Sequence, residues 1–238
     1  QVYTLANSTA GLFINPNIYS EISAIILVSL IVLKLWWWIP VTLPGLFLVQ
    51  SRSAFVALGF GLFILAWRYN KYLAIISIIV VGTIGSYFYW HRLDLISVQE
   101  RLNMWADTIQ GFKFFGNGVG SYEALFPYYA THINTELARP RYAHNDLLQI
   151  VFEFGIGSIL LLMVLFNVFK TKRPELIILF TIGVISLFTY PLHIPTPAFI
   201  AFLVAGFVTR NNGSNGNIWI NRGSNLFKGD TTKQFAKA

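Results

Sequence analysis

The sequence has no cysteine and few charged residues. Among its 238 residues, 11% are charged and 55% are hydrophobic. The missing cysteine excludes a disulfide framework and a thiolate metal site. Soluble domains carry roughly 25% charged residues, and a globule of this size still needs a polar surface. The shortage of charge therefore indicates that lipid surrounds much of the chain, and an aromatic content of 16% fits side chains that anchor at membrane interfaces.

Apolar residues form seven segments along the chain. They cover residues 21–33, 35–49, 54–67, 72–89, 147–169, 175–190 and 196–209. They predict an all-α fold, a polytopic transmembrane helical bundle of about seven spans with a long extracytoplasmic loop. Pro40 and Pro44 predict a kinked or partly re-entrant second segment.

Charge is distributed unevenly over the connections between these segments. Basic residues dominate one alternating set and the C-terminal tail, whereas acidic residues prevail in the other set. Because basic loops stay in the cytoplasm, the loop 90–144 is expected on the periplasmic side. The net charge of +7 then reflects topology, with a contribution from membrane lipids, and does not favour a nucleic acid partner.

This topology predicts four parts. Residues 1–89 form the first four membrane helices, 90–144 the periplasmic loop, 145–209 the last three membrane helices, and 210–238 a flexible cytoplasmic tail. The first residue is Gln, and no signal-peptide pattern precedes the first apolar run. The sequence is therefore expected to be part of a longer chain.

The predicted periplasmic loop has helical periodicity and a glycine-rich turn. Apolar residues recur at helical spacing over 97–115, which predicts an amphipathic helix, and Ser97 with Glu100 matches a capping box. The turn Gly116–Gly120 has the pattern G-x-G-x-G. A nucleotide site would need this turn in a βαβ unit, so a tight structural turn is favoured.

Two arginines are candidate phosphate ligands. Arg52 lies between the second and third segments, and Arg101 shares a helix face with Trp105. A guanidinium can hold a phosphate through two parallel hydrogen bonds, and a tryptophan can stack on a sugar or lie at the headgroup level. The simpler alternatives are an ordinary loop arginine for Arg52 and an interfacial helix with a snorkelling arginine for Arg101.

A second cluster lies where the loop joins the fifth segment. Arg139, Arg141 and His144 are followed by Asn145, which can cap the next helix. The cluster suits an anion and a general base, and the alternative is a helix cap with a solvated histidine. Glu153 is predicted to hold one of the arginines. No histidine pair has ligand spacing, so no metal site is predicted.

As a set, these motifs resemble the O-antigen ligase and O-antigen polymerase superfamily of bacterial envelope proteins. The resemblance rests on SRSA, RLNMW, GNGVGSYEALFP, AHNDLLQIVFEFGIG and YPLHIP, and runs from roughly Leu43 to Gly206. It implies an inverting glycosyl transfer in the bacterial inner membrane, at its periplasmic face, without metal or cofactor. The implied donor is a glycan on undecaprenyl diphosphate, and the implied acceptor is lipid A core, a growing glycan or a protein hydroxyl.

The resemblance also implies residue roles. Arg52 and Arg101 would bind the diphosphate, and His144 would activate the acceptor hydroxyl; Arg139 and Arg141 match no fixed family position. A polymerase of the same superfamily is the nearest alternative to a ligase. An envelope transporter or a structural membrane protein is the alternative from another class. The predicted spans are nearly free of ionisable groups, which favours an enzyme over a transporter.

Overall fold

The structure, a computed structural model, describes residues 16–49, 51–91, 95–133, 140–161, 163 and 173–210. Over these residues it contains helices and no strand, which confirms the all-α prediction. The helices are α1 (Pro16–Val32), α2 (Ile39–Val49), α3 (Arg52–Tyr69), α4 (Lys71–His91), α5 (Leu95–Gln110), α6 (Tyr122–Leu125), α7 (Asp146–Phe154), α8 (Leu176–Ser186) and α9 (Pro195–Arg210). Short 3-10 turns cover Trp36–Trp38, Phe126–Tyr128, Gly155–Gly157 and Pro191–His193.

Apolar segments one to four, six and seven form a helical bundle. Helix α1 contacts α2, α3 and α8; α3 also contacts α4 and α8, and α9 packs on α8. The core consists of fully buried aliphatic side chains such as Ile25, Val28, Leu46 and Ile177. Gly45 faces α1 so closely that a Cβ there would overlap the side chain of Ser23, so the glycine permits this helix contact.

The second apolar segment is interrupted ahead of its prolines. A 3-10 turn at Trp36–Trp38 precedes α2, so Pro40 lies in the first helical turn, where its missing N–H needs no intrahelical partner. Pro44 lies inside α2 and removes one hydrogen bond of the helix.

The predicted periplasmic loop folds as a second layer with its own core. Helices α5, α6 and α7 surround Tyr122, Phe126 and Phe152, which are at most 1% exposed. The ring centroids of Tyr122 and Phe126 are 5.1 Å apart, and those of Tyr122 and Phe152 are 5.2 Å apart. We name this layer the loop domain. It is an ordered, packed unit.

Some boundaries differ from those predicted. The amphipathic helix begins at Leu95 and ends at Gln110, so Ser97 lies inside α5 and the predicted capping box is wrong. Gly111 ends the helix and packs against the rings of Phe152 and Tyr129.

The predicted cytoplasmic tail beyond Arg210 and the later part of the fifth segment lie outside the described residues. Within the described ranges, no helix combines the length and apolar composition that crossing a membrane requires.

Candidate functional site

The glycine-rich turn covers the C-terminal end of α7. The N–H groups of Asn117 and Gly118 donate to the carbonyl oxygens of Phe152 and Glu153, both at 3.0 Å. Gly116 and Gly155 have positive φ, and a Cβ at either would overlap the backbone of the other segment. These bonds satisfy carbonyls that a helix end leaves without intrahelical partners. The turn is therefore structural, as predicted, and fixes the loop domain on α7.

Glu153 supports this turn and does not hold Arg101 or Arg141. Its Oε2 accepts a hydrogen bond from the N–H of Gly120 at 2.9 Å, and its Oε1 accepts one from Nε2 of Gln149 at 3.0 Å. Among the described residues it makes no ion pair, so the predicted role is wrong for Arg101 and Arg141. The third predicted partner, Arg139, lies outside the described residues. A backbone N–H and a side-chain amide already donate to this carboxylate.

His144 occupies a costly position at the start of α7. Its φ is +52°, a left-handed conformation that is uncommon for residues other than glycine. Its Nδ1 is buried and has no hydrogen-bond partner within the described structure, so a ligand can reach the ring only through Nε2 and the ring edge. The ring packs edge-on against Tyr190, with centroids 4.9 Å apart. A strained backbone conformation persists only where the surrounding structure enforces it, and such strain is concentrated at functional sites.

Electrostatics keep His144 neutral. Burial lowers the pKa of His144, and the charge of Arg101 lowers it further, to about 4. The imidazole therefore has an unprotonated nitrogen at neutral pH and can accept a proton.

Trp105 and Asn145 hold the chain on either side of His144. The indole Nε1 of Trp105 donates to the carbonyl oxygen of Ala143 at 3.0 Å, and the N–H of Ala143 donates to Oε1 of Gln149 at 3.1 Å. Asn145 is the N-cap of α7, as predicted, and its Oδ1 accepts from the N–H of Leu148. In the structure the indole N–H of Trp105 is already used to position His144.

The two candidate phosphate ligands come from different layers. Arg52 is the first residue of α3 in the bundle and is exposed, whereas Arg101 is half-buried on α5 of the loop domain. Nη1 of Arg101 donates to the carbonyl oxygen of Phe188 at 3.2 Å. Burial lowers the pKa of Arg101, the carboxylate of Glu21 raises it in part, and the charge of Arg52 lowers it again. The two guanidinium groups are therefore close enough to repel each other.

Glu21 is a site residue that the sequence analysis missed. It is buried in α1, and its carboxylate accepts hydrogen bonds from Ser53 at 2.6 Å and Thr189 at 3.1 Å. Ser51 bonds to Ser53 at 2.9 Å, so the serines beside Arg52 point inward. The sequence signal that could have identified it is a single carboxylate at the start of an apolar segment, because a carboxylate in that position requires a partner.

A second missed group is the pair Asp146 and His193. Asp146 is fully buried, and its Oδ1 lies 2.6 Å from Nδ1 of His193, while its Oδ2 accepts from the N–H of Leu192 at 2.9 Å and from Ser186 at 3.0 Å. These bonds tie the start of α7 to the end of α8 and to the turn before α9. His193 belongs to the YPLHIP motif, where a histidine among apolar residues was the available signal.

Arg141 pairs with an exposed carboxylate. Its Nε is 3.4 Å from Oε2 of Glu123, and both side chains are more than half exposed. Arg101 therefore lies within electrostatic range of Arg52 and Glu21 and also of His144, while Arg141 lines a neighbouring pocket.

A family model described as O-antigen ligase matches residues 41–163, just over half of the chain. The chain belongs to the O-antigen ligase family. Arg52, Arg101, His144 and Glu153 fall inside the matched range of this family, whereas Glu21, Tyr190 and His193 fall outside it. Membership connects the chain with glycan assembly in the bacterial cell envelope. No curated protein and no solved structure matches the chain.

Proposed function

We propose that this chain is a glycan transferase of the ligase type. It moves a glycan from undecaprenyl diphosphate to a hydroxyl of an acceptor such as lipid A core, with inversion at the anomeric carbon. One observation carries the proposal: in a member of the O-antigen ligase family, Arg101 lies within electrostatic range of both Arg52 and His144, which come from two other elements.

The proposed reaction balances with the groups present. The acceptor oxygen attacks the anomeric carbon, and the bond from that carbon to the phosphate oxygen breaks. The diphosphate leaves with the electron pair, while the hydroxyl proton passes to His144. Arg52 and Arg101 stabilise the charge that develops on the leaving group, so the proposed transfer uses guanidinium charge in place of a metal ion or cofactor.

The mutual repulsion of the arginines suits an anion site. Two like charges near each other are unfavourable in the empty site, and a diphosphate between them converts that repulsion into attraction. Arg101 also depresses the pKa of His144. A bound diphosphate offsets the charge of Arg101 and so raises the basicity of His144. Donor binding thereby prepares the base for the acceptor.

We also propose that the bundle lies in the bacterial inner membrane with this site at the periplasmic end. The hydrogen bonds of Glu21 and Asp146 join the start of α1, the start of α3, the start of α7 and the end of α8. In the predicted topology all of these ends lie on the periplasmic side. Large apolar side chains are also exposed on the bundle surface, including Ile79 at 60% and Phe202 at 74%, and lipid would cover them.

The proposal is tested by complementation. The full-length gene is expressed in a strain that lacks its own ligase or polymerase, and the surface glycan is separated on a gel. We expect glycan transfer with the wild type and its loss with His144→Ala. His132→Ala is the matched control, because His132 is a half-exposed histidine paired with Asp107 elsewhere in the loop domain. Undiminished transfer by His144→Ala would exclude the proposed base.

The same gel separates the ligase from the polymerase. Attachment of single units to the core indicates a ligase, whereas a ladder of lengths that depends on this gene indicates a polymerase. If neither product forms, the result would favour a transporter or a structural envelope protein.

A further inference from the structure

A polar pocket of about 430 Å³ lies next to the proposed transfer site. Its wall includes Glu123, Arg141, Tyr142, Gln149, Glu153 and His193. The pocket therefore presents carboxylate, guanidinium, amide and imidazole groups together with an aromatic ring. Neither the diphosphate nor the base of the proposed reaction uses these groups.

His193 is oriented by a buried carboxylate. The N–H of Leu192 and the hydroxyl of Ser186 donate to Oδ2 of Asp146. Its other oxygen, Oδ1, lies 2.6 Å from Nδ1 of His193. Nδ1 is therefore occupied by the carboxylate, which leaves Nε2 as the ring nitrogen for a ligand, and the ring lines the pocket.

One aromatic ring connects the pocket with His144. Tyr142 stacks on Tyr190 with centroids 4.4 Å apart, and the centroids of Tyr190 and His144 are 4.9 Å apart. The charge of Arg101 also lowers the pKa of His144. The candidate base is therefore linked to Arg101 by electrostatics and to the pocket by aromatic contacts. A general base must lie within hydrogen-bond reach of the hydroxyl that it deprotonates, so a pocket beside it suits the acceptor.

We propose that this pocket binds the acceptor saccharide, with Nε2 of His193 forming a hydrogen bond with one of its hydroxyls. This inference rests on the proposed function. Sugars present many hydroxyls and apolar C–H faces, and planar polar groups beside an aromatic ring satisfy both. Arg141 and Glu123 form an exposed pair of 3.4 Å. Such surface pairs contribute little to stability, so both groups stay available to hydroxyls of the ligand.

The test uses two substitutions of one histidine. The amide of His193→Asn lies near the position of Nδ1 and keeps a donor to Asp146, but it has no group at the position of Nε2. His193→Gln restores a polar atom near Nε2 and removes the bond to Asp146. The control is His132→Asn, because Nδ1 of His132 lies at the same 2.6 Å from Oδ1 of Asp107, outside the pocket.

The assay measures transfer by the full chain in lipid nanodiscs, with an undecaprenyl-diphosphate-linked glycan as donor and purified lipid A core as acceptor. We expect His193→Asn to raise the acceptor KM about tenfold, as the loss of one hydrogen bond implies, and to leave the donor KM unchanged. The acceptor KM of His193→Gln should lie between those of the wild type and His193→Asn. The double variant Glu123→Gln/Arg141→Gln should also have a higher acceptor KM than the wild type. His132→Asn should match the wild type.

Three other outcomes overturn one proposal or the other. A raised donor KM with an unchanged acceptor KM would assign the pocket to the donor glycan and reject our inference. Unchanged KM values in all pocket variants would show that the pocket is not used. Binding of core oligosaccharide by the wild type, lost in His193→Asn, with no transfer in any assay, would reject the proposed function and retain the saccharide pocket.

Discussion

The indole N–H of Trp105 donates a hydrogen bond of 3.0 Å to the carbonyl oxygen of Ala143, the residue immediately before His144. Trp105 follows Arg101 by one helical turn of α5. A single helix thus supplies a proposed phosphate ligand and sets the backbone that presents the proposed base.

Removing this hydrogen bond should slow transfer without weakening donor binding. Trp105→Phe keeps an aromatic ring but has no N–H, so Ala143 loses its donor and His144 loses part of its positioning. We expect kcat to fall about tenfold, since small displacements of a catalytic group are costly, and the donor KM to change little. Steady-state kinetics measure both. The control is Trp67→Phe, an exposed tryptophan on α3, which should behave as the wild type.

Replacing His144 by asparagine should separate backbone strain from chemistry. Asparagine tolerates the left-handed conformation at φ +52° and cannot act as a base. We expect His144→Asn to unfold at the same temperature as the wild type or slightly above it. Its transfer rate should fall by about 10²- to 10⁴-fold, the usual contribution of general acid–base catalysis. A normal rate together with normal stability would assign His144 a purely structural role.

Lysine should be a poor functional substitute for either arginine that we propose as a phosphate ligand. Arg52→Lys and Arg101→Lys keep the charge but lose the two parallel donors of the guanidinium. We expect each to raise the donor KM about tenfold, equivalent to about 1.4 kcal/mol, with little effect on the acceptor KM. Arg68→Lys is the control, because Arg68 lies in the last turn of the same helix as Arg52, at its opposite end. Equal effects of Arg52→Lys and Arg68→Lys would show that Arg52 has no special role.

The depressed pKa of His144 predicts a broad pH range of activity. Because the pKa of His144 is about 4 in the folded chain, kcat/KM should stay level from pH 8 to about 5 and fall as the ring becomes protonated. Arg101→Gln removes a charge that lowers this pKa, so the fall should move to higher pH. A wild-type profile that falls near pH 6.5 would show that His144 is not held neutral.

The same shift predicts a loss of stability in acid. Between the ordinary pKa of 6.5 and the folded value of about 4, the unfolded chain binds a proton at His144 and the folded chain does not. The free energy of unfolding therefore decreases as pH falls through this window. Thermal unfolding at pH 7 and pH 4.5 should show a smaller loss for His144→Asn than for the wild type. Equal losses would contradict the assigned shift.

Alanine substitution should distinguish two kinds of glycine. At Gly155, φ is positive and a Cβ would overlap the backbone of the glycine turn, so Gly155→Ala should separate the turn from α7 and lower stability. Gly183 lies in α8, and a Cβ there meets nothing within 4 Å. Gly183→Ala should be neutral or stabilising by up to about 1 kcal/mol, because alanine favours helix. Chemical denaturation in detergent measures both changes.

Helix content and the main site candidates could be predicted from the sequence because they depend on local patterns. The apolar runs predicted the bundle helices, and Asn145 before the fifth run predicted the N-cap of α7. The partners of Glu153 could not be predicted, since Gly120 reaches it from 33 positions away in sequence. Likewise, the bond from Thr189 to Glu21 joins residues 168 positions apart, and only packing of α1 against α8 brings them together.

The loop domain has a hydrophobic core of its own, built on Tyr122, Phe126 and Phe152, while Arg52 belongs to the bundle. Arg101 lies on the loop domain and His193 lies in the turn before α9, so both the carrier site and the acceptor pocket would be assembled from the two units together. Glu123 and Arg141 are exposed residues of the predicted periplasmic loop. Substitutions around this exposed pair could then redirect such an enzyme to a new sugar without disturbing the helices of the bundle. Divergence of specificity among relatives should accordingly concentrate on the exposed surface of the loop.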